Sequence, residues 1–239
     1  MTIYVKQSKH IFSIALPKPL NSKFNQMTTK EMAITQNAET QAAITPENAI
    51  NILKAGNERF VSQNFIGKNF PEQIKGTTSG QYPFAAVLGC IDSRVPVEIV
   101  FDQGIGDLFS ARVAGNVVDT HVLGSLEYAV KYAGSKAIVV LGHTSCGAVK
   151  GACDDLKDGN LTGLLGAIRP AVEATETKDG EDRTSKNKSF VNNVVHKNVS
   201  MTIDKMMEDS EIIREMSSAG LITVVGAVYD VSNGKVTFL

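Results

Sequence analysis

The stretch AIVVLGH, Ala137 to His143, decides how the chain folds. It is a short unbroken apolar run, rich in branched side chains, closed by a glycine and a histidine. Such a run reads as a strand covered on both faces, as in a parallel sheet. Three others resemble it: FAAVLGC from Phe84 to Cys90, DLFSARVAG from Asp107 to Gly115, and LITVVGAVYD from Leu221 to Asp230. Helical stretches lie between them, HVLGSLEYAVKYAG before AIVVLGH and Ser189 to Gly220 before the last run. In the latter, Val191, Val194, Val195, Val199, Ile203 and Met206 recur at three and four residues, one apolar helix face. Alternating strand and helix predicts an α/β fold: a single domain with a mostly parallel central sheet and helices on both faces. The closing VYDVSNGKVTFL reads as a hairpin turned at Asn233-Gly234, which makes the last strand an antiparallel edge.

Outward from this centre, Thr45 can cap a helix that Pro46 opens, since a first-turn proline gives up no needed hydrogen bond. The domain is therefore expected over residues 45–239. Residues 1–44 show no lasting periodicity and are broken by Pro17 and Pro19, so they are expected to be an arm, partly disordered or packed on a partner subunit. The polar stretch Glu173 to Ser189 reads as a surface loop.

Hydrophobic residues make up 43% of the 239 and charged residues 21%, an ordinary globular balance. Lysine plus arginine is 24 against 25 acidic residues, so no basic excess points to nucleic acid or an anionic membrane. No apolar run approaches the roughly 20 residues that cross a bilayer. Three cysteines are too few for a disulfide scaffold and suit a metal or a reducing compartment. The expectation is a cytoplasmic protein. The five lysines before Glu31 admit an organelle-targeting segment, but the arm has no arginine.

Two apolar runs end in metal-ligand residue types, Cys90 and His143, and sites in open α/β sheets form at the carboxyl ends of strands. Cys146 follows His143 by three positions, at the expected start of the next helix. Two thiolates and a neutral imidazole suit tetrahedral Zn2+, one per chain, with a fourth position left for chemistry. Asp92 and Arg94 alternate after Cys90, so the arginine can grip the carboxylate bidentately and keep it ionised.

CIDSRV at Cys90 to Val95 and GHTSCGAV at Gly142 to Val149 resemble the two signature motifs of the beta class of carbonic anhydrases. The likeness runs from about Pro46 to the C-terminus, through LFSARVAGN, SLEYAV and VVGAVYDVSNGKV, and does not cover the arm. It implies reversible hydration of carbon dioxide to bicarbonate and a proton. It implies Cys90, His143 and Cys146 as zinc ligands and Asp92 with Arg94 as catalytic dyad, Asp92 becoming a fourth ligand in a closed form. Gln81 matches a glutamine that donates to substrate oxygen. Phe109, Ala114 and Tyr128 fall where the family lines its substrate pocket, often across a subunit interface. It also implies an obligate dimer, possibly a tetramer, that binds neither nucleic acid nor membrane. Relatives with a regulatory bicarbonate pocket carry a tryptophan where this chain has Val87, so an open site without that pocket is expected at neutral pH. Arg112 is expected to be structural, and His121 and His196, the candidate shuttles for the product proton, to be exposed or helix-packed histidines. Carbonyl sulfide or carbon disulfide hydrolysis on the same metal set is the enzymatic alternative. A non-catalytic zinc or bicarbonate sensor is the other, disfavoured by the presence of Asp92, Arg94 and Gln81.

Overall fold

The computed structural model describes residues 35–239, together with the backbone of two short strands before them. The chain divides into two units, Met1–Met32 and Ala33–Leu239. In the first, β1 (Tyr4–Gln7) and β2 (His10–Ser13) pair antiparallel, with Tyr4 opposite Ser13. The rest of the expected arm up to residue 34 lies outside the described residues.

The second unit opens with α1 (Ala38–Ala43), N-terminal to the expected boundary at residue 45. Six residues are too few for periodicity to announce a helix. A reciprocal cap between Asn37 and Thr40 starts it, and Gln41 docks it on the domain by donating to the carbonyls of Pro83 and Ala133, both at 2.8 Å. α2 (Pro46–Val61) follows, capped by Thr45 through the Asn48 amide. Ala49, Ile50, Leu53 and Gly56 form its buried stripe. At Gly56 a Cβ would stand 1.8 Å from the Phe101 carbonyl oxygen, so only glycine permits this approach. Then come α3 (Phe70–Gly76), β3 (Ala85–Gly89), α4 (Val97–Val100) and β4 (Leu108–Arg112). A 3-10 turn at Ala114–Asn116 leads to α5 (Thr120–Glu127), which passes into a π-helical turn at Tyr128–Tyr132. β5 (Ala137–His143), α6 (Gly147–Cys153), α7 (Leu161–Ala174), α8 (Lys188–Asp209), α9 (Glu211–Ser218), β6 (Thr223–Tyr229) and β7 (Val236–Phe238) complete the chain.

The sheet order is β4-β3-β5-β6-β7, the first four parallel and β7 antiparallel, which is the predicted fold class. β3 and β5 are buried at every position because helices cover both faces. Leu88, Ile138 and Val140 point to a core shared with Leu126, Val149, Ile168, Phe190, Val194 and Met206. Val87, Val139 and Leu141 point the other way, to Leu53, Phe84, Val97 and Phe101. The period of two thus serves two cores at once, which is why the runs are apolar without alternation.

Two local outcomes differ from the pattern. The expected helical stretch Ser189 to Gly220 is two helices, broken at Ser210, whose backbone is extended (φ −113°, ψ 104°). Its hydroxyl accepts from the Ile213 amide and donates to Glu127 Oε1 at 2.6 Å, so it caps the second helix and anchors it. The Glu173 to Ser189 loop is pinned by Arg183, which donates to the carbonyls of Val172 and Thr175 and lies 4.8 Å over the Phe190 ring. Among the described residues no helix is long and apolar enough to cross a membrane.

Candidate metal centre

β3 and β5 are neighbours with Gly89 opposite Leu141, so the residues at their carboxyl ends meet. Cys90 follows β3 directly and His143 ends β5. Ser145, at φ 58°, turns the chain back so that Cys146 lands beside His143 at the N-cap of α6. The amides of Ala148 and Val149, in the first turn of that helix, reach the Cys146 sulfur. The ligand atoms of Cys90, His143 and Cys146 all lie within 4.8 Å of one another, and all three residues are buried.

The donor set fits a zinc ion. His143 is fully buried; its Nδ1 lies 3.0 Å from the Thr144 carbonyl oxygen, which takes a proton there, while Nε2 has no hydrogen-bond partner. A buried imidazole lone pair left over costs stability unless a cation accepts it. The sulfurs of Cys90 and Cys146 stand 4.0 Å apart. The hydrogen bond from Cys146 holds the Cys90 thiol well below its usual range, against the opposing effect of burial. The same bond, with burial, pushes Cys146 up. A divalent metal binding both sulfurs as thiolates displaces their protons. The Gly115 amide also donates to Cys90 Sγ, at 3.4 Å.

Asp92 stands at the open side of this cluster, its Oδ2 3.8 Å from His143 Nε2. Arg94 grips it with Nε to Oδ1 at 2.9 Å and Nη2 to Oδ2 at 2.8 Å, and the Arg94 amide adds a bond of 3.0 Å. These bonds from Arg94 hold the carboxyl well below the usual carboxylate range, so it is an anion and an acceptor at any working pH. Arg112, exposed at the end of β4, donates through Nε to the Cys90 carbonyl at 2.9 Å and through Nη2 to the Asp92 carbonyl at 2.6 Å. It is the structural arginine expected, and what it holds is the backbone carrying ligand and carboxylate together.

A buried Cys-His-Cys cluster thus stands beside an arginine-held aspartate. The family model described as carbonic anhydrase matches residues 85–236, which take in every residue of the cluster. The chain belongs to the beta-carbonic anhydrase family. Carbonic anhydrase 2 of Mycobacterium tuberculosis is 41% identical over 200 residues, covering 80% of this chain and 91% of its own. The carbonic anhydrase of Mycolicibacterium smegmatis is 40% identical over 192 residues, with coverage of 80% and 92%. Among solved structures, the beta-carbonic anhydrase CafA of Aspergillus fumigatus superposes with a TM-score of 0.63 at 27% identity, over 81% of this chain and 89% of the other. A tetrameric beta-carbonic anhydrase of Sordaria macrospora gives 0.61 at 26% identity, over 81% and 95%.

Not every residue expected at the site of this beta-carbonic anhydrase lies beside the cluster. Ala114 lies beside it, in the turn whose next residue touches Cys90. Gln81 does not: it is exposed in the loop before the amino end of β3, whereas Cys90 follows the carboxyl end. A five-residue strand separates them by roughly 17 Å. Phe109 and Tyr128 meet edge to face at 6.2 Å, and Tyr128 stacks on Tyr132 at 6.2 Å. Phe109 and Tyr128 line a surface groove of about 560 Å³ with His121 and Gly124. Tyr128 is 54% exposed and Tyr132 72%, large aromatic area left to solvent. His196 is exposed on α8. Cys153, half-buried, stays outside the ligand cluster, its thiol pushed up to about 11 by burial. Sequence motifs pointed neither to the Gly115 amide nor to the grip of Arg112 on two carbonyls. The one available signal was the arginine and glycine of SARVAGN lying so close to a strand end.

Proposed function

We propose that this beta-carbonic anhydrase holds one zinc ion per chain through Cys90 Sγ, His143 Nε2 and Cys146 Sγ, and hydrates carbon dioxide reversibly to bicarbonate and a proton. The carrying observation is the buried, unpartnered imidazole nitrogen of His143 between two cysteine sulfurs, with an ionised carboxylate 3.8 Å away. Zinc held there supplies Lewis acidity that brings a water's pKa from about 16 toward neutrality. Two thiolates weaken that effect, and Asp92 makes up part of it. Its carboxylate accepts a hydrogen bond from the attacking oxygen and turns that oxygen's lone pair toward the substrate carbon. Arg94 orients Asp92 and keeps it charged; fully engaged with the carboxylate, it is not the acid. Arg112 holds the Cys90 to Asp92 backbone in register with the cluster.

The donor for the substrate oxygen is Gln81, and because its own chain carries it to the far end of β3, we assign it to the site of a second copy. Phe109 and Tyr128 supply apolar walls for an uncharged substrate in the same shared pocket. The exposed aromatic surface around Tyr128 and Tyr132 supports this association, as does the tetrameric relative. Metal analysis with stopped-flow hydration assays tests the reading. It expects about one zinc per chain and turnover that chelation removes. A zinc-loaded protein without hydration activity overturns it, and turnover of carbonyl sulfide in place of carbon dioxide reassigns the substrate alone.

A further inference from the structure

Asn198 sits in α8 among Val191, Val194, Val195 and Val199, on the helix face that packs into the core, and is 3% exposed. An apolar side chain would suit that face, so its amide needs a reason. The Nδ2 group donates to the Gly115 carbonyl at 2.8 Å, within the 3-10 turn. The Gly115 amide in turn donates to Cys90 Sγ at 3.4 Å. Gly115 reaches both partners only at φ 72°, ψ 12°, in the left-handed region, and a Cβ there would lie 2.4 Å from Ile168 Cδ1. Its carbonyl and its amide therefore face opposite ways, one to α8 and one to the sulfur.

We infer that Asn198 is a positioning residue for the metal centre: through the Gly115 carbonyl it fixes the turn so that the Gly115 N–H stays on the Cys90 sulfur. A hydrogen bond to a thiolate draws charge from it, so the sulfur donates less to a bound metal and the metal stays more acidic. That matters in a site with two thiolates, where excess donation is the main obstacle to activating water. Outer partners of this kind orient the ligand as well as tune it.

The inference rests on the metal reading of Cys90, His143 and Cys146, and the test separates the two. Asn198→Leu keeps the size and loses the donor; Asn198→Asp keeps the shape and offers only acceptors. Each is compared with wild type for zinc affinity by chelator competition and, after cobalt substitution, for the thiolate-to-cobalt charge-transfer band. Both variants are expected to bind zinc at least about tenfold more weakly, because losing the orientation of the Cys90 sulfur outweighs its stronger donation. The charge-transfer band should move to lower energy while the visible bands stay tetrahedral, a change that loss of packing alone would not cause. Unchanged affinity and band in a folded variant overturn the role of Asn198. Wild type that takes up neither zinc nor cobalt overturns the metal reading instead. Wild type loaded with an NMR-active cadmium isotope gives a readout that needs no variant. The Gly115 amide proton should couple to the metal through the Cys90 sulfur, with the Asn198 side-chain amide protected from exchange. Absence of that coupling in the loaded protein also overturns the inference.

Discussion

Between Cys90 and Arg94 the chain makes a single turn, and inside it Asp92 receives N–H bonds from the Arg94 amide, Nε and Nη2. Its role is tested by Asp92→Asn, which keeps the shape and loses the charge. We expect kcat/KM for hydration to fall about a hundredfold with zinc content unchanged, as befits a group that handles a proton. Arg94→Ala addresses the charge itself. The folded pKa of Asp92 is depressed, so its anion persists in wild type far into acid. Without the guanidinium its titration should rise toward about 4, readable by carboxyl NMR of the zinc protein. At this scale the Cys90, His143 and Cys146 cluster and the pairing of Asp92 with Arg94 were legible, because cysteine, histidine and aspartate are conspicuous at the ends of apolar runs. Asn198 was not: it sits 83 positions from its partner and in sequence is one polar residue in a helix. Gln81 was legible as a residue type, but its place in the loop before the amino end of β3, away from Cys90, was not.

At the scale of elements, Asp102 ties α2, the loop that follows it and the end of α4 together. Its buried carboxylate accepts from Arg59 Nε at 2.6 Å and the Ile66 amide at 3.1 Å, and pairs with Lys68. Burial raises its pKa, but the bonds from Lys68, Arg59 and Ile66 outweigh it, and the net shift is downward. Asp102→Asn leaves two cations facing a neutral group and is expected to cost about 3 kcal/mol, measured as a urea midpoint shift at neutral pH. The sign with pH follows from the depressed folded value. The stability the charge contributes is fully present above the unfolded pKa near 4, and is lost as pH falls through the lower folded one. The gap between wild type and variant should therefore close in acid. β3 and β5 were legible here because burial on both faces leaves no polar interruption, whereas β4, read the same way, is an edge strand that exposes Ser110 and Arg112. The break at Ser210 was not, since it depends on Glu127 from another helix. α1 escaped for the related reason that its anchor, Gln41, bonds only to distant carbonyls.

For the whole molecule, β3 runs in one direction through the sheet, with Cys90 after its carboxyl end and Gln81 before its amino end. A site that needs both should be divided between copies. Asp92→Asn chains and Gln81→Ala chains, each expected to be nearly inactive alone, should regain hydration when refolded together. In a mixed pair one site collects both changes and the other none, so recovery without mixing of chains would contradict a shared pocket, as would mixing without recovery. The strand order carries a further consequence. β4 stands at one margin of the sheet with only β3 beside it, next to the exposed rings of Tyr128 and Tyr132. On the association proposed above, a copy released from its partner would bare a row of backbone donors and acceptors bordered by aromatic surface, a template onto which stray strands can add. Dilution should therefore make this protein aggregate on gentle warming before it loses helix, with concentration acting as its safeguard against clumping.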